Sequence, residues 1–231
     1  DATDSADDND GTLQNGATFG TGKFGQAFGF DGVDDHVAVA DSPNLDGMAQ
    51  LTVSAWVKFD SLPAGTTQFI VSKGSAVGPG SNSYDIWLDG DTMKLTAAVE
   101  TTSVLNTVQD TDVFSDTTSF HHVTLTYDGT SIRLFVDGML KSTGSLNGTV
   151  RDTSFSFFIG RRSGFGVDGQ GDAFDGLIDE VSVYNRALSS SEIAELNGIS
   201  TDSVDGDDGA IDGSGSAGHS FRASSAATVR A

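Results

Sequence analysis

The chain has no cysteine, only 3 prolines and few basic residues among its 231 positions. Without cysteine it has neither a disulfide framework nor a thiolate metal site. It also lacks any run of about 18 apolar residues, so we expect no membrane insertion. The 12 basic residues stand against 33 acidic ones and give a formal net charge of −21. Because such a charge repels nucleic acids and anionic lipids, we expect neither as a partner.

The acidic surplus has two interpretations. Dense surface carboxylates keep a protein hydrated at high salt, and the same composition suits a calcium-rich extracellular module. The acid is spread over loops and strand faces rather than gathered in one tail, which favours a halophilic protein of haloarchaeal origin. The chain starts at Asp1 without an initiator methionine or a signal peptide, and we expect it to be a mature segment of a larger multidomain protein.

Alternating apolar and polar residues recur between turns rich in glycine. The run LTVSAWVKF (51–59) alternates throughout, and residues 121–144 hold three further runs separated by Asp-Gly turns. Strict alternation is typical of half-buried strands, and Asp-Gly is a frequent hairpin turn. The pattern as a whole predicts an all-β sandwich or barrel of about ten to twelve strands.

A single helix is predicted near the end of the ordered sequence. Ser189 and Glu192 form the S-x-x-E capping box, and Asn197-Gly198 ends the segment. From residue 199 onward Gly, Ser, Asp and Ala dominate and apolar periodicity vanishes. We therefore predict a folded domain over residues 1–198, followed by a flexible linker or tail over 199–231.

Five stretches together resemble the laminin G-like, concanavalin A-like jelly roll family, in its bacterial and archaeal branch related to pentraxins. They occur in the family's order and cover residues 4–198. The stretches are DGTLQNGATFGTGKFGQAFGFDGVDDHVAV, LTVSAWVKF, FHHVTLTYDGTSIRLFVDGMLKSTG, FFIGRR and FDGLIDEVSVYNRALSSSEIAELNG.

The resemblance implies a two-sheet antiparallel jelly roll sandwich with one short C-terminal helix. It also implies a binding or adhesive module that recognises glycans or cell-surface proteins and belongs to a larger extracellular or cell-surface protein. One feature departs from the family. Members usually begin with another strand before the loop at 4–11, and here only three residues precede that loop, so the first strand is either missing or supplied by upstream sequence.

Asp179 stands in the predicted last strand. Strand alternation places it on the mostly apolar face with Leu177, Val181 and Val183. An ionised carboxylate taken out of water costs several kcal/mol unless it is paired, hydrogen-bonded or bound to a metal. Asp179 therefore needs a partner, which is either a metal ion or a set of backbone N–H groups.

The loop DSADDNDG (4–11) is rich in oxygen ligands and free of sulfur, as Ca²⁺ prefers. It is similar to the family's calcium loop, with Asp4, Asp7 and Asn9 at the matching positions. The family also brings the aspartate of its IDEV strand close to this loop. The resemblance therefore implies one structural Ca²⁺ held by Asp4, Asp7, Asn9 and Asp179. The alternative for the loop is a solvated acidic turn.

Two tryptophans are candidates for ligand contact. If Tyr84 and its alternating neighbours face inward, then Asp85, Trp87 and Asp89 share the outer face, where a ring between carboxylates suits sugar stacking and hydroxyl hydrogen bonds. Trp56, between Ser54 and Lys58 on its face, is the second candidate. The alternative is that loops or the second sheet's core cover both rings.

No catalytic arrangement is evident in the sequence. His121 and His122 resemble a strand-entry feature of the family that carries no chemistry. The adjacent acids of LIDEV point to opposite faces, unlike the alternating acids of related glucanases. We therefore predict a non-enzymatic glycan-binding or adhesive module. The alternative function is a structural spacer or assembly domain of a surface layer, filament or spike with no small-molecule site.

Overall fold

The structure is a computed structural model that describes residues 2–4, 9–63, 65–75, 80–162 and 172–198, together with the backbone of 218–223. These residues form sixteen strands and one helix. The elements are β1 (Ala2–Asp4), β2 (Gly11–Gln14), β3 (Thr18–Thr21), β4 (Gln26–Asp31), β5 (His36–Val39), β6 (Leu51–Phe59), β7 (Gln68–Gly74), β8 (Asn82–Leu88), β9 (Leu95–Glu100), β10 (Leu105–Gln109), β11 (His121–Tyr127), β12 (Ser131–Val136), β13 (Met139–Ser145), β14 (Phe157–Ile159), β15 (Asp175–Tyr184), α1 (Ser190–Leu196) and β16 (Gly218–Ala223).

The strands form two antiparallel sheets packed face to face. The first sheet has the order β10-β9-β8-β7-β14-β5-β2-β1. The second has the order β15-β6-β11-β12-β13, and the β3–β4 hairpin pairs with the other edge of β15. Strand β16 pairs with both β1 and β15, so it links the two sheets. This arrangement confirms the predicted all-β, concanavalin A-like jelly roll sandwich with one short helix.

Alternating residues of both sheets fill the space between them. Val53, Ala55 and Val57 of β6 lie in one continuous apolar core with Tyr84 and Ile86 of β8. Each large apolar side chain buried in this way stabilises the fold by about 1.5–3 kcal/mol. The predicted inward register of β6 and β8 is therefore confirmed, and Trp56 and Trp87 occupy outward positions on opposite faces of the sandwich.

A β-bulge interrupts β15 at Glu180. Asp179 pairs with Trp56 and Ser182 pairs with Ser54, so three steps on β15 oppose two on β6. Glu180 has a φ of 49°, in the left-handed region that glycine adopts more easily than glutamate. An extra residue in one strand of a pair reverses the inward and outward positions beyond it.

The bulge overturns one sequence prediction. Ile178 and Val181 lie in the core, three residues apart, whereas Asp179 between them lies on the outer face of the second sheet. The prediction that Asp179 shares the apolar face of Val181 is therefore wrong. The reason is that simple alternation does not hold across a bulge.

Residues 218–223 add a strand from the segment that was predicted to be a linker or tail. Val181 of β15 pairs with Phe221, and Phe221 pairs with Asp4 of β1 on its other side. The ordered fold therefore continues past residue 198. The pairing also gives β1 a partner at the position where the sequence indicated that a family strand was absent.

Helix α1 begins where the capping box predicted. The side chain of Ser189 accepts a hydrogen bond from the Glu192 backbone, and the Glu192 side chain returns to the Ser189 backbone. Ile193 is buried against Phe135 and Leu188, which fixes the helix on the outer side of β12. Among the residues that the structure describes, no helix has the length and apolar character needed to cross a membrane.

Candidate functional site

A groove of about 460 Å³ lies on the outer face of the second sheet. We call it the Trp56 groove. Its floor is formed by outward residues of three adjacent strands, namely Ser54 and Trp56 from β6, His122 from β11, and Ser182 and Tyr184 from β15. These side chains meet because His122 pairs directly with Trp56 across the β6–β11 ladder.

Three other elements close the Trp56 groove. Phe24 reaches it from the turn between β3 and β4, Glu180 from the bulge of β15, and Glu195 and Leu196 from α1. The bulge matters here because it adds a carboxylate at a point where a regular strand alternates between the two faces. The groove thus combines an apolar ring, hydroxyl groups and two carboxylates.

The indole of Trp56 is held by aromatic contacts. Its ring centroid lies 5.1 Å from that of His122 at an interplanar angle of 37°, and 6.2 Å from that of Phe24 in an edge arrangement. The ammonium nitrogen of Lys23 lies 4.2 Å from the ring centroid, a cation–π geometry. Only 5% of Trp56 is exposed, so the turn that carries Lys23 and Phe24 covers most of the ring.

His122 is neutral at physiological pH. The residue is 3% exposed, and burial lowers the pKa of its imidazole to about 4. Its Nδ1 has no hydrogen-bond partner among the residues that the structure describes. A buried polar atom without a partner is uncommon in folded proteins and needs an explanation.

His121 differs from its neighbour. Its Nδ1 lies 2.7 Å from Asp137 and its Nε2 lies 3.1 Å from Asp116. The hydrogen bond to Asp137 is the main reason that the pKa of His121 is raised. The two histidines therefore do not form a catalytic pair. His121 belongs to an ion-pair cluster, and His122 belongs to the groove.

The predicted ligand residues of β8 lie on the outer face of the first sheet. Trp87 stacks on Phe69 with the ring centroids 5.5 Å apart. Asp85 is 1% exposed and accepts a hydrogen bond from Asn82 at 2.5 Å. The Arg162 guanidinium lies 3.7 Å from the same carboxylate. Burial raises the pKa of Asp85, so this carboxyl group is enclosed rather than presented to solvent.

Asp89 is not brought together with Asp85 and Trp87. Its carboxylate accepts hydrogen bonds from the backbone N–H of Thr92 at 2.8 Å and of Asp91 at 3.2 Å. It therefore fixes the turn between β8 and β9. The structure brings the second candidate, Trp56, into the groove, and it joins Trp56 to groove residues that the sequence analysis did not select.

The predicted metal ligands Asp4 and Asp179 lie on opposite sides of the sandwich wall. Ala2 is in the core, so Asp4, two residues later in β1, faces the same inner side, whereas Asp179 faces outward. Strand β16 lies between the two strands. Asn9 donates a hydrogen bond to the Asp4 carboxylate at 3.1 Å. Asp7 lies outside the described residues, and calcium at this loop stays a prediction.

The Asp179 carboxylate accepts two backbone hydrogen bonds. The N–H groups of Phe24 and Glu180 each lie 2.9 Å from it. Gly22 packs so closely that an added Cβ would lie 2.4 Å from the carboxylate oxygen. These contacts do not fit an ion shared with Asp4. They support the alternative that the sequence left open, a carboxylate satisfied by backbone donors.

A different acidic cluster occurs in the described part of the chain. Carboxylate oxygens of Asp31, Asp34 and Asp35 lie within 4.8 Å of one another. Burial and the nearby Asp31 raise the pKa of Asp35. The sequence analysis did not select this group, although its DGVDD spacing places three acids in one turn between β4 and β5. Oxygen ligands of this kind are those that Ca²⁺ accepts.

Comparison with known families is decisive for identity. The pattern of the laminin G group Laminin_G_3, described as the concanavalin A-like lectin/glucanases superfamily, matches residues 31–194. The chain belongs to this superfamily. The matched region of this lectin/glucanase-type domain includes the whole Trp56 groove except Phe24, Glu195 and Leu196. No curated protein sequence matches the chain.

Solved structures share the fold of this superfamily domain at low sequence identity. Domain 4 of AbnA, an extracellular arabinanase from Geobacillus stearothermophilus, was solved with arabinotriose and is 20% identical, with a TM-score of 0.61 over 81% of this chain and 88% of that one. The binding domain of Paraclostridial Mosquitocidal Protein 1 is 16% identical, with a TM-score of 0.61 over 82% and 47%. The binding domain of botulinum neurotoxin DC, in complex with SialylT, is 10% identical, with a TM-score of 0.59 over 82% and 46%. The chain therefore spans about half of each toxin domain.

Proposed function

We propose that this domain is a non-catalytic glycan-binding module and that it binds saccharides in the Trp56 groove. The observation that carries the proposal is the indole of Trp56, which is fixed by His122 and Phe24 in a groove lined by the hydroxyl groups of Ser54 and Tyr184. A sugar presents C–H groups on its ring faces and hydroxyl groups around its edge. An aromatic ring beside hydroxyl and carboxylate oxygens is complementary to both.

The size and position of the groove support this proposal. Its volume of about 460 Å³ is within the range of about 300–1,000 Å³ that is usual for small-ligand sites. The floor lies on three hydrogen-bonded strands, so the contact residues are fixed by the sheet rather than by a free loop. Such a floor binds without much ordering of the protein, which favours affinity.

The solved relatives support saccharides as the ligand class. The similar arabinanase domain was solved with arabinotriose, and the similar neurotoxin domain was solved with SialylT. Those ligands belong to those proteins, and their low identity to this chain leaves the sugar unspecified. A location outside the cell, as part of a larger protein and with glycans or cell-surface proteins as partners, belongs to the same proposal.

Catalysis is not part of the proposal. Glu180 and Glu195 both line the groove, but Glu195 is exposed on α1. A glycosidase needs one enclosed carboxyl group as its general acid and a second carboxylate placed across the scissile bond. An exposed helix residue does not provide the first requirement. Release of reducing sugar from a retained glycan would contradict this part of the proposal.

The test is a glycan array read in molar KCl, which suits the halophilic composition. Wild-type protein should retain a definable set of saccharides, Trp56→Ala should lose them, and Trp87→Ala, on the opposite face of the sandwich, should keep them. Tyr184→Phe removes only a groove hydroxyl and should weaken retention without loss of the fold. Thermal melts of each variant separate unfolding from lost binding. A wild-type protein that retains no saccharide would support the spacer function instead.

A further inference from the structure

The Trp56 groove carries charges of both signs at its edge and neutral groups on its floor. The edge has the carboxylates of Glu180 and Glu195, and the ammonium group of Lys23 lies 4.2 Å from the Trp56 ring centroid. The floor beside the ring consists of His122 and of hydroxyl-bearing residues. The groups that would contact a stacked sugar are therefore uncharged hydrogen-bonding groups.

This distribution disfavours charged ligands at the ring. The carboxyl group of an acidic sugar would lie beside Glu180 and Glu195, and like charges at such distances repel. A protonated amine on the ring would meet Lys23, whose ammonium already occupies the cation–π position. An uncharged saccharide avoids both repulsions and still finds hydrogen-bonding partners.

His122 gives the floor a specific polar group. Its ring packs against Trp56, and its Nδ1 is buried without a partner among the described residues. Because the ring is neutral, one nitrogen donates and the other accepts a hydrogen bond, and the tautomer decides which is which. A sugar hydroxyl, which both donates and accepts, suits either tautomer.

We propose that the groove selects uncharged saccharides, with one sugar ring stacked on Trp56 and one of its hydroxyl groups hydrogen-bonded to the His122 imidazole. This inference rests on the proposed glycan-binding function and adds the ligand class and a specificity-determining residue. A site built to bond a hydroxyl group discriminates strongly against ligands that lack it, because the buried polar group then stays unpaired.

Matched probes test the ligand class. They are neutral trisaccharides from arabinan, galactan, xylan and chitin, with trigalacturonic acid and the chitosan trimer as the acidic and amino counterparts of galactan and chitin. Titration calorimetry at high salt limits long-range attraction by the acidic surface. Binding of a neutral trisaccharide at least tenfold tighter than its charged counterpart is expected. Equal or tighter binding of a charged probe overturns the ligand class but leaves glycan binding intact, and binding of none contradicts both.

Two variants of β11 test the role of His122. His122→Phe keeps a ring against Trp56 but removes the imidazole nitrogens, so the dissociation constant should rise at least tenfold while the melting temperature stays equal or rises. Thr124→Val is the matched control. Thr124 Oγ1 is also buried without a partner among the described residues, but Thr124 does not line the groove, so this variant should bind as the wild type does.

The outcomes separate recognition from packing. Unchanged affinity in His122→Phe overturns the role of His122. If His122→Phe loses both stability and affinity, His122→Asn decides, because its amide places a polar atom near the Nδ1 position. Recovery of at least half of the lost affinity, on a logarithmic scale, supports hydrogen bonding by this residue. Recovery of stability without affinity overturns the proposal.

Discussion

The carboxylate of Asp179 accepts a hydrogen bond from the backbone N–H of Phe24 at 2.9 Å, across 155 positions of sequence. The contact joins the outer face of β15 to the turn between β3 and β4. That turn carries Lys23 and Phe24 over the Trp56 ring. Asp179 therefore positions the cover of the groove, although it does not line the groove itself.

Replacement of Asp179 should destabilise the domain whether or not calcium is present. Asp179→Ala removes the acceptor of two backbone N–H groups and should cost about 1–3 kcal/mol of unfolding free energy. Asp179→Asn keeps one acceptor oxygen and should cost less. Denaturant melts in EDTA and in millimolar calcium, at constant high salt, measure both values.

The calcium prediction has its own control in the same experiment. Asp4→Ala alters the loop at 4–11 without touching the Phe24 contact. A calcium-dependent stability that disappears in both Asp4→Ala and Asp179→Asn would support the shared ion and contradict the backbone account of Asp179. Calcium dependence that disappears in Asp4→Ala alone would place the ion in the loop.

Glycine at position 180 should stabilise the fold and weaken ligand binding. Glu180 has a φ of 49°, which costs a residue with a Cβ about 1 kcal/mol relative to glycine. Glu180→Gly should therefore be more stable than Glu180→Ala by about that amount. Both variants lose the same groove carboxylate, so a similar affinity in the two is expected. Equal stability of the two variants would show that the bulge carries no strain.

Stability should fall in acid partly because of His122. The folded-state pKa of His122 is lowered to about 4 by burial, whereas the unfolded value is about 6.5. The unfolded chain therefore binds the proton first, and this contribution to stability is complete above pH 6.5 and is lost as pH falls toward 4. The loss is on the order of 3 kcal/mol. His122→Phe should show a shallower fall over that window in urea melts.

His121 provides the opposite control for that measurement. Its pKa is raised, chiefly by the hydrogen bond to Asp137. Its contribution is therefore fully present below the unfolded pKa and is lost as pH rises through the folded value. His121→Gln should reduce stability most at the acid end of the window. The same sign in both variants would contradict the assignment of the two environments.

Removal of residues 199–231 should lower the melting temperature by several degrees. Strand β16 pairs with β15 on one side and with β1 on the other, and each net backbone hydrogen bond contributes about 1 kcal/mol. A chain shortened after Ala223 keeps this strand and is the matched control. Equal melting of wild type and both truncations would show that β16 contributes nothing to stability.

Local signals in the sequence predicted much of the fold. The alternation of β6 and β8 and the capping box of α1 depend only on residues near one another, and the structure confirms all three. The bulge at Glu180 was not predictable in this way. Its left-handed residue is not glycine, so the sequence IDEV gives no sign that the alternation reverses.

The candidate site depends on pairing between distant strands. Trp56 and His122 are both outward residues of alternating segments, and that signal was available in the sequence. Their contact, however, follows from the pairing of β6 with β11, which alternation alone does not specify. The tail strand was missed for a similar reason, because residues 218–223 gain their structure from backbone pairing with β1 and β15 rather than from an apolar pattern of their own.

The pairing of β1 with β16 has a mechanical consequence. Ala2 lies opposite Ala223, and the ladder continues inward to Asp4 and Phe221. Tension applied between these two strands at Ala2 and Ala223 therefore acts across the ladder from one end and loads its hydrogen bonds one after another. We expect β16 to peel away from β1 at low force, before the sandwich itself opens. A module built in this way yields gradually under shear.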